Sequence, residues 1–122
     1  MKAMDIIDRV DLMEPNQYSP EQKLHWLTTL DGKLFEEAVR PRFPERERPG
    51  PYETGQEELM LSQPYGEDIY YNSLQAMIAA ENSETQRYNR RMTMFNSVLT
   101  EFLNWYNRAN APVSRKGTQF IF

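Results

Sequence analysis

Residue types that commonly carry catalysis or metal binding are scarce in this sequence. The chain has no cysteine and a single histidine, His25. Disulfides, thiolate metal sites and a cysteine nucleophile are therefore excluded, as is a zinc centre built from several histidines. His25 stands beside Trp26 near the start of a predicted helix, at the edge of its apolar side, a position typical of a structural histidine.

The remaining candidates for chemistry are two pairs of neighbouring carboxylates, Glu36-Glu37 and Glu57-Glu58. Adjacent side chains on a helix point in different directions, so neither pair makes a metal site or a glycosidase pair without a further ligand nearby. A glycine-rich phosphate loop, a Gly-x-Ser-x-Gly elbow and a His-Glu-x-x-His motif are also missing from the sequence. We therefore predict no catalytic residue, no metal, no cofactor and no small-molecule substrate. The protein is expected not to be an enzyme.

The length and the charge distribution limit what the chain can be. Its 122 residues suffice for one domain with its own core, so 1–122 is expected to be a single helical domain. Residues 1–85 carry a net charge of −9 and residues 86–122 a net charge of +5. This asymmetry suits head-to-tail association of copies. Alternatively, the two regions face each other within one monomer.

No apolar run approaches the roughly 18 residues that a membrane span requires. The first residues, Met1-Lys2-Ala3-Met4-Asp5, lack the apolar core of a signal peptide. We therefore expect no membrane association and a location in the cytoplasm in which the protein is made.

Hydrophobic periodicity predicts an all-α protein, a small bundle of four helices. The helices are expected at about 3–13, 20–40, 67–81 and 84–108. On the first, Ile6, Ile7, Val10 and Met13 share one side.

Two helix starts carry capping signals. Ser19 is a good N-cap, Pro20 suits the first helical position, and Gln22 completes a capping box. Ser83 and Gln86 repeat the capping-box signature before the last helix.

The segment between the second and third helices is rich in proline, glycine and charge. Residues 41–55 predict a solvated loop, and 41–61 as a whole an extended loop or hairpin. Residues 59–61 could form a short strand that pairs with 118–122, whose aromatic and β-branched content favours a strand. The alternative is that one of these strands pairs with a neighbouring molecule. Residues 109–122 are thus predicted to be a C-terminal tail or strand.

The last helix has more apolar surface than one packing seam requires. Its first apolar line follows the helical period and comprises Tyr88, Met92, Phe95, Leu99, Phe102 and Tyr106. A second line holds Met94, Val98 and Trp105. Together they cover an arc of about 180°, against a little over 100° for an ordinary surface helix.

Arg87 and Arg91 lie on the same side of the helix as the second line, at its N-terminal end. Arginine, methionine and tryptophan are enriched at protein interfaces. We therefore predict a self-association surface whose members are Arg87, Arg91, Met94, Val98 and Trp105. The alternative is that helices two and three of the same chain cover both lines.

Arg87, Arg90 and Arg91 also allow a second hypothesis, a small helical regulatory or DNA-binding module in which these arginines contact phosphates. The low isoelectric point, about 5.0, argues against it, as does the small number of arginines, because non-specific affinity for DNA grows with the number of phosphate contacts.

A set of short motifs is spread over roughly residues 1–108: Glu14-Pro15-Asn16, Tyr18, Trp26-Leu27, Leu30-Asp31-Gly32, Pro64-Tyr65, Ile69-Tyr70, Glu84-x-x-Arg87-Tyr88-Asn89, Phe95-Asn96 and Trp105-Tyr106-Asn107-Arg108. Together they resemble the prophage-encoded head–tail connector proteins of tailed phages, also called adaptor or head-completion proteins. The sequence departs from that pattern at Arg90-Arg91 and in the 41–55 loop.

This resemblance implies a structural virion protein, a small helical bundle that forms a homo-oligomeric ring under the portal and joins the phage head to the tail. Its partners would be other copies of itself, the portal, and neck or tail proteins. DNA would be at most cargo that passes through the channel. The implied location is the host bacterial cytoplasm during assembly and then the virion.

Overall fold

Four helices build the part of the chain that the computed structural model describes, residues 1–110. The predicted all-α bundle is confirmed, and no β-strand forms within these residues. The second helix continues without interruption into a π-helical turn, Phe35–Val39. The helices are α1 (Ala3–Met13), α2 (Pro20–Leu34), α3 (Tyr65–Glu81) and α4 (Thr85–Ala109).

The start of α2 follows the Ser19 and Pro20 signals, whereas within residues 1–110 the Gln22 side chain makes no return hydrogen bond to complete the predicted capping box. The Ser19 hydroxyl accepts a hydrogen bond from the Gln22 backbone N–H at 3.1 Å, and Pro20 is the first helical residue. With its π-helical turn the helix reaches Val39, close to the predicted end at residue 40. Pro41 accounts for this end, because a proline disfavours the helical conformation of the residue before it.

The connection between α3 and α4 corrects the second capping prediction. Ser83 has a φ of 60°, and the N–H groups of Ser83 and Glu84 donate to the carbonyls of Ala80 and Ala79. These bonds satisfy carbonyl groups at the end of α3, so Ser83 closes α3 instead of capping α4. Glu84 is the N-cap residue of α4, and its side chain makes no capping hydrogen bond.

The strand predicted at 59–61 is absent. Its three amides donate to groups that do not belong to a strand ladder: the Met1 carbonyl accepts from Leu59, the Asp31 carboxylate from Met60 and the Tyr70 hydroxyl from Leu61. They are therefore unavailable for pairing with 118–122, which lies outside the described residues. The β-type contact found within residues 1–110 is one isolated antiparallel bridge between Lys2 and Glu58.

α3 is the central element of the bundle, because each of the other three helices packs on it. Its core residues are almost wholly enclosed: Ile69, Tyr70, Leu74 and Ile78. From α1 the core takes Ile6, Ile7 and Val10 as expected. Met13, predicted on the same side, is 63% exposed, since the burial of α1 ends with Val10, one turn earlier.

A close approach between backbones sets the start of α3. The Gly66 N–H donates to the Ser62 carbonyl at 2.9 Å. A Cβ atom on Gly66 would lie 2.7 Å from the Leu61 carbonyl oxygen and 2.9 Å from its carbonyl carbon. Glycine therefore allows the end of the 41–61 segment to lie directly against the first turn of α3.

We predict that Gly66→Ala lowers the free energy of unfolding by about 1–3 kcal/mol, because the new methyl group meets backbone atoms that cannot rotate away. Gly32→Ala in α2 is the matched control. Its Cβ would lie 3.7 Å from the Arg48 side chain, an ordinary contact. Alanine should there stabilise the helix by about 0.5–1 kcal/mol. Urea unfolding measures both changes, and equal effects of the two substitutions would contradict this account of Gly66.

Candidate protein-interaction site

An apolar groove of about 280 Å³ opens where the end of α2, the 41–61 segment and the last turns of α4 meet. Each element contributes large apolar side chains, and the polar groups at the groove are few. Its walls include Phe35, Val39, Met60, Leu61, Phe102 and Trp105. We refer to it below as the Trp105 groove.

A buried carboxylate holds one wall of this groove in place. Asp31 on α2 is fully enclosed, and the Tyr70 hydroxyl lies 2.7 and 2.9 Å from its two oxygens. The Tyr52 hydroxyl also donates to Asp31, and the Met60 N–H donates at 3.2 Å. Asp31 thus ties two points of the 41–61 segment to α2 and α3.

The electrostatics of this cluster follow from its burial. Loss of solvent raises the pKa of Asp31 above its ordinary value of 3.8, while the hydrogen bonds from Tyr52, Tyr70 and Met60 act in the opposite direction. Burial and the neighbouring carboxylate raise the pKa of both tyrosines. Because Asp31 is sealed from solvent, the cluster cannot reach a substrate, and its role is to position the groove wall.

The glutamate pairs considered as chemical groups organise the same region. Glu57 accepts hydrogen bonds from the backbone N–H groups of residues 53, 54 and 55, which lower its pKa to about 2. Glu36 binds the guanidinium groups of Arg40 and Arg48, and these bonds lower its pKa to about 2. Both carboxylates therefore serve the structure of the loop and of the helix end.

The described residues were also compared with what a metal site, a histidine site and a membrane-spanning helix require. Within residues 1–110, no cluster of three or more histidine, aspartate or glutamate side chains is placed to hold a metal ion. His25 is exposed on α2. Over the same residues, no helix combines the length and the apolar character that crossing a membrane requires. The sequence also contains a small basic cluster, Ser114-Arg115-Lys116, which lies outside the described part of the chain.

The two arginines of the predicted interface contact their own chain. The Arg87 guanidinium forms ion pairs with Glu14 and Glu84. Arg91 lies over the Tyr71 ring, 5.5 Å from its centroid, and donates to the Asn72 side-chain oxygen at 3.2 Å. Both arginines therefore tie α4 to the rest of the bundle, which the helical spacing alone did not reveal.

The apolar members of the predicted interface are accessible. Met94 is 46% exposed and Trp105 43% exposed, and Val98 is half-buried. The Trp105 ring packs against Tyr65 and Phe102, with centroid distances of 5.9 and 6.1 Å. Trp105 also lines the Trp105 groove.

The first apolar line of α4 lies against its own chain, as the spacing predicts. Its members are buried or half-buried: Tyr88, Met92, Phe95, Leu99, Phe102 and Tyr106. α3 is the principal helical neighbour of α4. The alternative in which α2 and α3 together cover the whole apolar arc does not account for the exposure of Met94 and Trp105.

The groove itself was not predicted from the sequence. Phe35 and Val39 fall within the helix predicted at 20–40, and Met60 within the strand predicted at 59–61. The available signal was the apolar content of the end of α2 beside a proline-rich loop, but it does not indicate that α4 lies opposite.

Comparison with protein-family models, with curated proteins and with solved structures finds no match to this chain. The function must therefore be argued from the chain's own residues and from the motif resemblance described above.

We predict that Tyr52→Phe lowers the free energy of unfolding by about 1.5–3 kcal/mol at neutral pH, because it removes a hydrogen bond to a buried carboxylate. The raised pKa of Asp31 means that the native state holds this proton more readily than the unfolded state. The contribution of Asp31 to stability therefore falls as pH rises from 3.8 through the raised value. Without Tyr52 this pKa rises further, so the variant should lose less stability in acid than at neutral pH.

Tyr65→Phe is the matched control for Tyr52→Phe. The Tyr65 hydroxyl makes no hydrogen bond with another residue of the described part of the chain. Its removal should change stability by less than about 0.5 kcal/mol. Urea unfolding of both variants at neutral and acid pH provides the test. A loss for Tyr52→Phe that does not depend on pH would contradict the role assigned to Asp31.

Proposed function

We propose that this chain is a non-enzymatic structural protein that associates with copies of itself through the Trp105 side of α4. The observation that carries this proposal is the exposure of two large apolar side chains, Met94 and Trp105, on the helix face that the sequence singled out. Tryptophan and methionine are typical of the centre of interfaces. The exposed part of Trp105 lies beside an apolar groove, so a partner would meet a continuous apolar surface.

The small free energy of such a contact favours an assembly in which many copies make the same contact. The exposed half of a tryptophan corresponds to about 100 Å², whose burial contributes about 2.5 kcal/mol. Association entropy offsets much of this gain. A contact of this size becomes stable when many copies repeat it in a closed assembly, as in a ring built from heterologous contacts.

We further propose that the assembly is the head–tail connector of a tailed phage, a ring under the portal that joins head to tail. The motif resemblance over residues 1–108 supports this assignment. The net charge of −9 over residues 1–85 and of +5 over residues 86–122 suits head-to-tail contacts between copies, beside the ion pairs that Arg87 makes with Glu14 and Glu84 of its own chain. Portal and neck or tail proteins would be the other partners, and the virion the final location.

The position of the coding gene tests the phage assignment independently of any interface. A gene between those for capsid and tail proteins is the expected result. A position among genes of unrelated metabolism would contradict the assignment and leave the proposed self-association to be judged by itself.

The geometry favours this function over the DNA-binding alternative. Arg87 is engaged by two carboxylates and Arg91 by Tyr71 and Asn72. Of the three arginines, only Arg90 forms no salt bridge or side-chain hydrogen bond within residues 1–110. One unengaged arginine offers little affinity for phosphates at physiological salt.

We predict that Trp105→Asp abolishes self-association, measured by light scattering over a concentration series. Removing an aromatic side chain from the centre of an interface weakens binding by about 2 kcal/mol or more, which raises the dissociation constant about 30-fold. Met94→Asp should act in the same direction. It is the more conservative test, because Met94 lacks the aromatic contacts that Trp105 makes with its own chain.

Leu12→Asp is the matched control for both substitutions. Leu12 is 81% exposed at the end of α1, so its replacement adds the same charge outside the α4 face. It should leave association unchanged. Oligomers retained by the Trp105 and Met94 variants would remove this face of α4 from the proposal.

A further inference from the structure

The Trp105 groove has the size and chemistry of a receptor for a few apolar side chains. Its volume, about 280 Å³, falls just below the range of about 300–1,000 Å³ that is typical of small-molecule pockets. Phe35, Phe102 and Trp105 supply aromatic surface, while Arg46 and Glu47 are the charged residues at its edge. A groove of this composition suits a short apolar stretch of polypeptide better than a polar metabolite.

The chain itself supplies such a stretch close by. α4 ends at Ala109, and the Asn110 N–H donates to the Tyr106 carbonyl in its last turn. Tyr106 lines the groove, so the described part of the chain ends about one turn beyond the groove wall. Twelve residues follow, 111–122, and they contain three consecutive large apolar residues, Phe120-Ile121-Phe122.

We propose that Phe120-Ile121-Phe122 occupies the Trp105 groove of its own chain. The nine residues 111–119 span up to about 30 Å when extended. The groove residue farthest back along α4, Phe102, lies only about 12 Å from Asn110 along the helix axis. Residues 111–119 are therefore long enough to bring residues 120–122 back to the Trp105 groove. A short linker of this kind also keeps the segment at an effective concentration of the order of millimolar.

The hydrogen bonds of the groove wall decide how this segment binds. The N–H groups of Leu59, Met60 and Leu61 already have partners within the fold. A strand ladder with these amides is excluded, so the segment binds through its side chains. The groove offers the rings of Phe35, Phe102 and Trp105, on which aromatic side chains can pack as the offset or edge-to-face pairs of protein cores do.

The docked segment would cover the same Trp105 side chain that the proposed function assigns to association. Residues 120–122 then compete with neighbouring copies, and the free chain is protected from premature assembly. The inference rests on the groove and on the sequence of the tail. It does not require the proposed self-association to be correct.

The fluorescence of Trp105 reports on the groove directly. In the full chain with Trp26→Phe, Trp105 is the remaining tryptophan. Adding Phe120→Ser and Phe122→Ser should shift its emission to longer wavelength and increase its quenching by acrylamide, because the ring loses its cover. The measurement is made at concentrations where light scattering shows a monomer, so that association does not contribute.

Leu12→Ser with Met13→Ser is the matched control, since both side chains are exposed at the end of α1 and neither lines the Trp105 groove. This pair should leave the emission of Trp105 unchanged. An unchanged emission after the two phenylalanine substitutions would overturn the proposal. The Trp26→Phe chain with its unsubstituted tail provides a further check. If the emission of Trp105 in this chain shifts with dilution, the proposal is overturned as well, because the tail of a neighbouring copy would then be covering the ring.

A disulfide trap gives a second measurement in a chain that has no native cysteine. Met60→Cys with Ile121→Cys should form an intramolecular disulfide under mild oxidation, seen as a monomer of altered mobility that reverts on reduction. Leu12→Cys with Ile121→Cys is the control and should remain mostly reduced. A disulfide-linked dimer, or equal trapping in both pairs, would contradict binding within the same chain.

The two tests separate this inference from the proposed function. Substitution of Phe120 and Phe122 should increase self-association if both proposals hold. If Trp105→Asp abolishes association while the emission and the disulfide show no docked tail, only the inference fails. If the tail docks but no association occurs at any concentration, only the proposed function fails.

Discussion

The carboxylate of Asp31, buried among hydroxyl and amide donors, is the constraint on which the arrangement of this molecule depends. A carboxylate without solvent is tolerated only when its oxygens are hydrogen-bonded. Tyr52, Met60 and Tyr70 provide these bonds, and two of the three donors belong to the proline-rich segment. Satisfying one buried charge therefore fixes a long irregular segment against α2 and α3, and this segment forms a wall of the groove.

α4 remains partly uncovered because one helix, α3, is its principal neighbour. α4 has 25 residues and packs chiefly on α3, which has 17. A single neighbour covers one seam, so Phe95 and Phe102 are the buried residues of α4, while Met94 and Trp105 stay accessible. The apolar arc of α4 exceeds what the other described residues, within 1–110, cover, and both proposals made above concern what covers the rest.

Two arginines of α4, Arg87 and Arg91, bind residues of their own chain and so help to fix the helix in place. Arg87 joins the start of α4 to Glu14 at the end of α1, and Arg91 joins it to Tyr71 and Asn72 on α3. Since α4 makes few contacts beyond α3, these ties help to fix its orientation. The apolar residues farther along the helix are thereby presented at a defined angle, so the arginines contribute to the candidate surface as positioning residues.

The sequence determined what depends on local periodicity and local sterics. It indicated the four helices, the Ser19 cap, the end of α2 before Pro41, the inward line of α4 and a second apolar line through Met94 and Trp105, whose exposure only the tertiary structure decided. Tertiary structure decided which groups meet across long sequence separations. The closure of α3 by Ser83, the partners of Arg87 and Arg91 and the use of the 59–61 amides by Met1, Asp31 and Tyr70 all followed from it. The physical reason is that helical spacing fixes a direction around one axis, whereas hydrogen-bond and salt-bridge partners depend on how separate elements pack.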